Sequence, residues 1–169
     1  RMRRERDILA RLQHGGIARL YDAGTDAAGL PWLAMECVQG RDILGWCDAR
    51  GSDTATRLRL LLQVTDALQY AHSRLVIHRD IKPANVLVLD DGQTRLLDFG
   101  IARWLAPDGD DPALTQLGQR PMTPEYASPE QVRGEEPGVA SDIYALGVLA
   151  YRLLSGASPY ASAMPASRH

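Results

Sequence analysis

Lysine is nearly missing from this chain: of its 19 Lys and Arg residues one, Lys82, is a lysine and eighteen are arginine. Phenylalanine occurs once, as Phe99, so a core must be built mainly from Leu, Val, Ile and Ala. The two cysteines, Cys37 and Cys47, have no flanking Cys or His pattern. A zinc centre needs about four ligands, which argues against a metal fold and leaves both as buried free thiols of a reducing compartment. No apolar run approaches the roughly 20 residues of a membrane-spanning helix, and the opening residues do not read as a secretory leader. Charge of one sign is also lacking: the net charge is −2, with 24% charged and 45% hydrophobic residues. That excludes the basic excess of a nucleic-acid binder and a disordered acidic tail. At 169 residues the chain is expected to form one domain.

Periodicity is present throughout. "RMRRERDILARLQ" sets Met2, Ile8, Leu9 and Leu12 among arginines, an amphipathic helix stopped by the glycines of "HGG". It begins inside a helical pattern and "ASAMPASRH" trails off, so an internal piece of a longer protein is expected. "IARLYDAG" (17–24) and "PWLAMECV" (31–38) read as two strands of a hairpin, and "GRDILGWCDARG" as a short helix or loop. From Thr56 to Ser73, Leu58, Leu61, Leu62, Thr65, Leu68 and His72 recur at helical spacing. "NVLVLD" and "TRLLD" are short apolar runs joined by the turn "DGQ". Residues 104–124, rich in Pro, Gly, Asp and Gln, read as a long loop, which in a compact domain is functional or disordered. "VASDIYALGVLAYRLLSG" is apolar nearly all round, predicting a central buried helix capped by Ser141 or Asp142 and closed by Gly156.

Two stretches carry the chemistry: "HRDIKPANVLV", His78 to Val88, and "LLDFG", Leu96 to Gly100. The five-residue step from Asp80 to Asn85 and the 18-residue step from Asp80 to Asp98 leave room for one hairpin that returns the second carboxylate to the first. Together they resemble the catalytic loop and metal-binding motif of protein kinases, and the wording is close to bacterial serine/threonine kinases of the eukaryotic type. The resemblance implies ATP and Mg²⁺ as cofactors. Asp80 would accept or orient the proton of the attacking hydroxyl, and Asp98 and Asn85 would hold the cation through hard oxygen ligands. Lys82 would set a compact ammonium beside the γ-phosphate, where a planar guanidinium substitutes poorly. Alone, a lysine before a proline turn reads as solvated; between Asp80 and Asn85 it gains this role, and at that position it points to the serine/threonine type.

The same resemblance extends along the chain. "ERDIL" looks like the helix bearing the ion-pair glutamate, making Glu5 the partner of a lysine on an earlier strand, although by itself Glu5 reads as solvated. "AMECV" looks like the segment joining two lobes: Met35 behind the adenine pocket, backbone groups near Glu36 and Val38 on the adenine, and Leu87 beneath it. For Met35 and Leu87, plain core packing is compatible with that reading. Leu9, Leu20, His78 and Phe99 would stack as an apolar column anchored by Asp142, with His78 as scaffold. "TPEYASPEQ" closes the long loop, its Ser128–Glu130 resembling the usual Ala-Pro-Glu. Thr123 would contact Asp80 and Lys82. Arg79 and Arg103 would pair with a phosphate on the loop, with Thr115 as acceptor, though an ordinary surface threonine stays open there.

The implied fold is α+β and kinase-like: residues 1–38 the remnant of a small β lobe, residues 39–169 part of a mainly helical large lobe. The implied partner is a protein presenting Ser or Thr, with autophosphorylation included and nucleic acid not. The location implied is cytoplasmic, with any membrane tether outside this chain. Departures from the family pattern are plain. There is no Gly-rich phosphate loop, and no strand lysine is available because Lys82 is the only lysine. Both are expected before Arg1, as the closing helices are expected after His169. The alternative class is a non-catalytic pseudokinase or interaction scaffold, disfavoured by the intact Asp80, Lys82, Asn85 and Asp98. The 169-residue piece alone is expected to be inactive and to expose apolar surface.

Overall fold

The structure is a computed structural model that describes residues 12–27, 31–99 and 124–160. The helix expected over residues 1–13 therefore lies almost wholly outside the described residues, as does most of the long loop. β1 (Leu20–Thr25) and β2 (Pro31–Met35) form the expected antiparallel hairpin, running from Leu20 opposite Met35 to Thr25 opposite Pro31. Both strands are shorter than their apolar runs. Ile17 leaves the hairpin to bridge Leu96 in parallel, and Ala18 N–H donates to the Leu96 carbonyl at 3.0 Å. Beyond Met35 the chain is extended but unpaired as a strand, and Cys37 is exposed, which corrects its reading as a buried thiol. Cys47 is fully buried, and burial pushes its thiol up.

A second antiparallel sheet has the order β3-β4-β5, with β3 (Arg41–Asp42), β4 (Val86–Val88) and β5 (Thr94–Leu96). Val86, Val88, Thr94 and Leu96 face the core, while Leu87 and Arg95 occupy the other face, as strand alternation requires. The β4–β5 turn needs Gly92 at φ 84. It is held from outside by Gln63, which donates to the Gly92 carbonyl at 3.1 Å and accepts from Thr94 N–H at 2.9 Å.

The uncertain "GRDILGWCDARG" stretch resolves into β3 and helix α1 (Ile43–Ala49), capped by Asp42, whose Oδ1 accepts from Gly45 N–H at 3.0 Å. Helix α2 (Thr54–His72) starts earlier than its apolar pattern because Asp53 caps it through Thr56 N–H. Its Leu60, Val64, Ala67, Leu68 and Ala71 are buried, and it packs against β5 and against α4. Helix α3 (Pro129–Val132) is one turn long, and α4 (Val139–Ser155) closes at Gly156 with φ 74 as expected.

Two expectations for α4 are corrected. Its N-cap is Gly138, and Ser141 and Asp142 lie inside the first turn, both 1% exposed. Ser141 Oγ instead reaches back to accept from Gly138 N–H at 3.0 Å. The helix is also not buried all round: Ala145, Val148, Leu149 and Leu153 face the core, while Val139, Ile143, Tyr151 and Leu154 are exposed among the described residues. Apolar composition told of a stripe wider than the one the described residues cover. No helix among them is long and apolar enough to cross a membrane.

Candidate active site

Strain marks the place. The non-glycine residues with positive φ among those described are Leu75, Arg79 and Asp98, and two of these sit inside the quoted motifs. A side chain in that region persists only where its surroundings hold it. Arg79, at φ 71, is held at both of its backbone groups. Its N–H donates to Asp142 Oδ1 at 2.8 Å, and its carbonyl accepts from Gln131 Nε2 at 2.8 Å. His78 N–H donates to Asp142 Oδ2 at 2.8 Å, and the same oxygen lies 2.7 Å from His72 Nε2. One buried carboxylate thus organises the backbone that delivers the loop.

The loop then folds onto itself. Lys82 Nζ is 2.8 Å from Asp80 Oδ2. Asn85 Nδ2 donates to that oxygen at 3.0 Å and to the Asp80 carbonyl at 2.7 Å. Asp80, Lys82 and Asn85 therefore form one cluster, completed by a 3₁₀ turn (Pro83–Asn85) that runs directly into β4. Asp98 is delivered from the other strand. Leu97 N–H donates to the Asn85 carbonyl at 2.9 Å, and the Leu97 carbonyl accepts from His78 Nε2 at 2.7 Å. Asp98 follows this gripped peptide, so it leaves β5 between Asn85 and His78.

His78 is fully buried, and Phe99 stacks on it with ring centroids 4.6 Å apart. Asp80 N–H faces His78 Nδ1 at 3.3 Å, which makes Nδ1 the acceptor and Nε2 the protonated nitrogen of a neutral ring. Burial holds its pKa below the ordinary value, outweighing the opposing charges of Asp142, Asp80 and Asp98. The geometry of His78 is that of scaffold.

On the apolar side, Leu12, Ile17, Leu20, Met35 and Phe99 line a small cavity together with Asp98. Glu36 N–H is committed to the Arg19 carbonyl at 2.8 Å, so a ligand would meet the Glu36 carbonyl. Val38 is half-buried on the following segment, and Leu87 lies opposite Asp42 and Arg95 in the second sheet. Glu130 Oε1 accepts from Ser141 Oγ at 2.5 Å, which holds its carboxyl below the usual range. Arg79 Nη2 lies 3.9 Å from Glu136, a loose contact. Glu5, Leu9, Arg103, Thr115 and Thr123 lie outside the described residues.

Among the described residues no three His, Cys, Asp or Glu side chains gather as a metal cage. Asn85 and Asp98 carry side-chain oxygens that could hold a cation. The Asn85 Nδ2 bonds to Asp80 turn its Oδ1 into the free end of the amide, a hard oxygen suited to an ion that takes its other ligands from water and phosphate. Sequence reasoning missed two contributors. His72 counted only as a helix position, and Gln131 only as the end of a quoted motif; both act on residues more than fifty positions away, a relation that leaves no local signal.

The family model described as protein kinase domain matches residues 1–168. This chain belongs to that family. Among curated relatives, the kinase chain is 38% identical over 98% of its length to the probable serine/threonine-protein kinase PknB of Corynebacterium glutamicum. It is 36% identical over 99% of its length to serine/threonine-protein kinase PknB of Mycobacterium tuberculosis, and 38% identical over 98% to serine/threonine-protein kinase pkn2 of Myxococcus xanthus. It spans 26%, 27% and 20% of those three proteins respectively. Among solved structures, Rad53 1–466 in complex with AMP-PNP matches with a TM-score of 0.71 and 28% identity, over 99% of this kinase chain and 40% of that one. The α+β fold is therefore that of a protein kinase, in part.

Proposed function

We propose that the protein transfers the γ-phosphoryl group of ATP to serine or threonine hydroxyls of protein substrates, its own loop included. The observation that carries this reading is the cluster of Asp80, Lys82 and Asn85, closed by contacts of 2.7–3.0 Å on one loop. Asp80 accepts or orients the proton of the incoming hydroxyl, and Asn85 fixes which oxygen of Asp80 faces it. Lys82, drawn to Asp80, brings its ammonium to the side where phosphate charge moves. Asn85 Oδ1 and Asp98 would hold Mg²⁺, which when bound neutralises phosphate oxygens. Met35 and Leu87 would wall the adenine, with the Glu36 carbonyl and the Val38 backbone at its edge. Residues 1–38 belong on this reading to the small lobe and 39–169 to the large one, while Glu5, Arg103, Thr115 and Thr123 take the roles stated above. Names of relatives 36–38% identical over nearly the whole chain support the serine/threonine class.

The test is phosphate transfer from labelled ATP to a Ser/Thr protein by the full-length gene product. Asp80→Asn should lower kcat by about 10²–10⁴-fold with nucleotide binding retained. Full activity in that variant would overturn the reading. The 169-residue piece alone, lacking a strand lysine, should transfer little phosphate, because lost positioning costs orders of magnitude.

A further inference from the structure

Gln131 stands where two parts of the molecule meet. It belongs to α3, in the stretch that closes the long loop, yet its side chain spans to the catalytic loop. Oε1 accepts from Ser128 N–H at 3.0 Å while Nε2 donates to the Arg79 carbonyl at 2.8 Å. An N–H can only donate and a carbonyl can only accept, so these partners leave the amide a single orientation.

The carbonyl it holds is a particular one. Arg79 C=O and Asp80 N–H belong to the same planar peptide, so a donor on that oxygen sets the tilt of the plane leading into Asp80. The other end of that peptide faces His78 Nδ1 at 3.3 Å, and the preceding peptide is fixed by Asp142 on Arg79 N–H. Arg79 itself sits at φ 71, a conformation that relaxes unless held. Meanwhile α3 is fastened to α4 through Glu130 and Ser141. A displacement of the Ser128–Gln131 turn would therefore be felt at Asp80 through one side chain.

We infer that Gln131 is a positioning residue for phosphoryl transfer: it locks the peptide entering Asp80 and ties the aim of that carboxylate to the seating of the loop-closing turn. This rests on the reading of Asp80 as the proton acceptor. Capping α3 is the competing role, and Gln131→Glu separates the two. A carboxylate keeps an acceptor for Ser128 N–H, but at neutral pH it presents a negative oxygen to the Arg79 carbonyl, where a donor is needed. Gln131→Met removes both contacts at similar length.

In the full-length gene product, Gln131→Glu should keep the wild-type thermal midpoint and the KM for ATP while kcat falls about tenfold or more. Gln131→Met should lose kcat as well, with a lower midpoint. Val132→Ala, an exposed neighbour on the same turn, should match wild type. In Gln131→Glu, wild-type kcat would overturn the proposal, as would a kcat loss matched by a fall in that variant's midpoint, or a rise in its KM alone. Asp80→Asn run alongside tells the failures apart. If it stays active, the reading of Asp80 fails; if it is dead while both Gln131 variants turn over normally, only the role of Gln131 fails.

Discussion

The β1–β2 hairpin and the Asp80–Asn85 loop are both short, and they are held in opposite ways. The hairpin is a local ladder of neighbours in sequence, with Tyr21, Trp32 and Leu33 exposed at 60%, 42% and 36%. The loop makes little regular structure, yet its backbone is gripped by Asp142 from 63 and 64 residues away and by Gln131 from 52. One region is held by strand pairing and the burial of a few apolar side chains such as Leu20 and Ala23; the other holds strained backbone through buried polar contacts. Groups that must meet at fixed distances sit in the second kind of structure, because only over-determined contacts keep a residue such as Arg79 at positive φ. Local opening is expected in the hairpin first.

The sharpest way to break this contrast is Asp142→Ala. It would leave two buried N–H groups without their acceptor, at about 1–3 kcal/mol each. Urea unfolding should show that loss, and hydrogen exchange should show Ile81 and Val86 opening with it while β1–β2 protection changes far less. Equal loss in both regions would erase the distinction drawn here.

Acid should act on the loop before the hairpin. His78 is neutral when folded, with its pKa lowered from 6.5 by burial, so its contribution to stability is complete above that value. As pH falls below it, the unfolded chain binds the proton first and stability drops. Urea midpoints between pH 7.5 and 5.5 should decline, and His78→Gln should flatten that decline.

Ser141→Ala probes the tie between α3 and α4. Removing the first-turn contact with Gly138 N–H should cost on the order of 1 kcal/mol in chemical unfolding. Carboxyl titration by NMR should show Glu130 rising back toward 4.5 once its hydroxyl donor is gone. Smallest of all, Gly24→Ala places a Cβ 2.9 Å from the Trp32 ring, but that indole is half-exposed and free to move aside. Its effect should stay within about 0.5 kcal/mol, with kcat unchanged.

How far the sequence could be read follows the same division. The β4–β5 hairpin, α2 and the Gly156 stop were legible because each depends on neighbours: alternating Val86, Leu87 and Val88, the 3.6-residue recurrence of Leu61, Leu68 and their fellows, a glycine that tolerates φ 74. The assignment of Asp80, Lys82 and Asn85 to one loop was legible for the same reason. Ser141 and Asp142 were placed at the N-cap because a hydroxyl or carboxylate at a helix start has that local use; Ser141 does bond back to Gly138 N–H, but from inside the first turn, and Asp142 serves the distant loop instead. Cys37 was misjudged because a strand-like apolar run does not say where pairing stops.

What the sequence alone determined about this protein is its set of local conformations and the residue types of one loop, since both arise from interactions within a few positions. What only the tertiary structure decided is which partners satisfy the buried polar groups: Asp142 for His78 and Arg79, Asn85 for Leu97, Gln131 for the peptide into Asp80. A buried donor must find an acceptor, but chemistry places no limit on how far along the chain that acceptor lies.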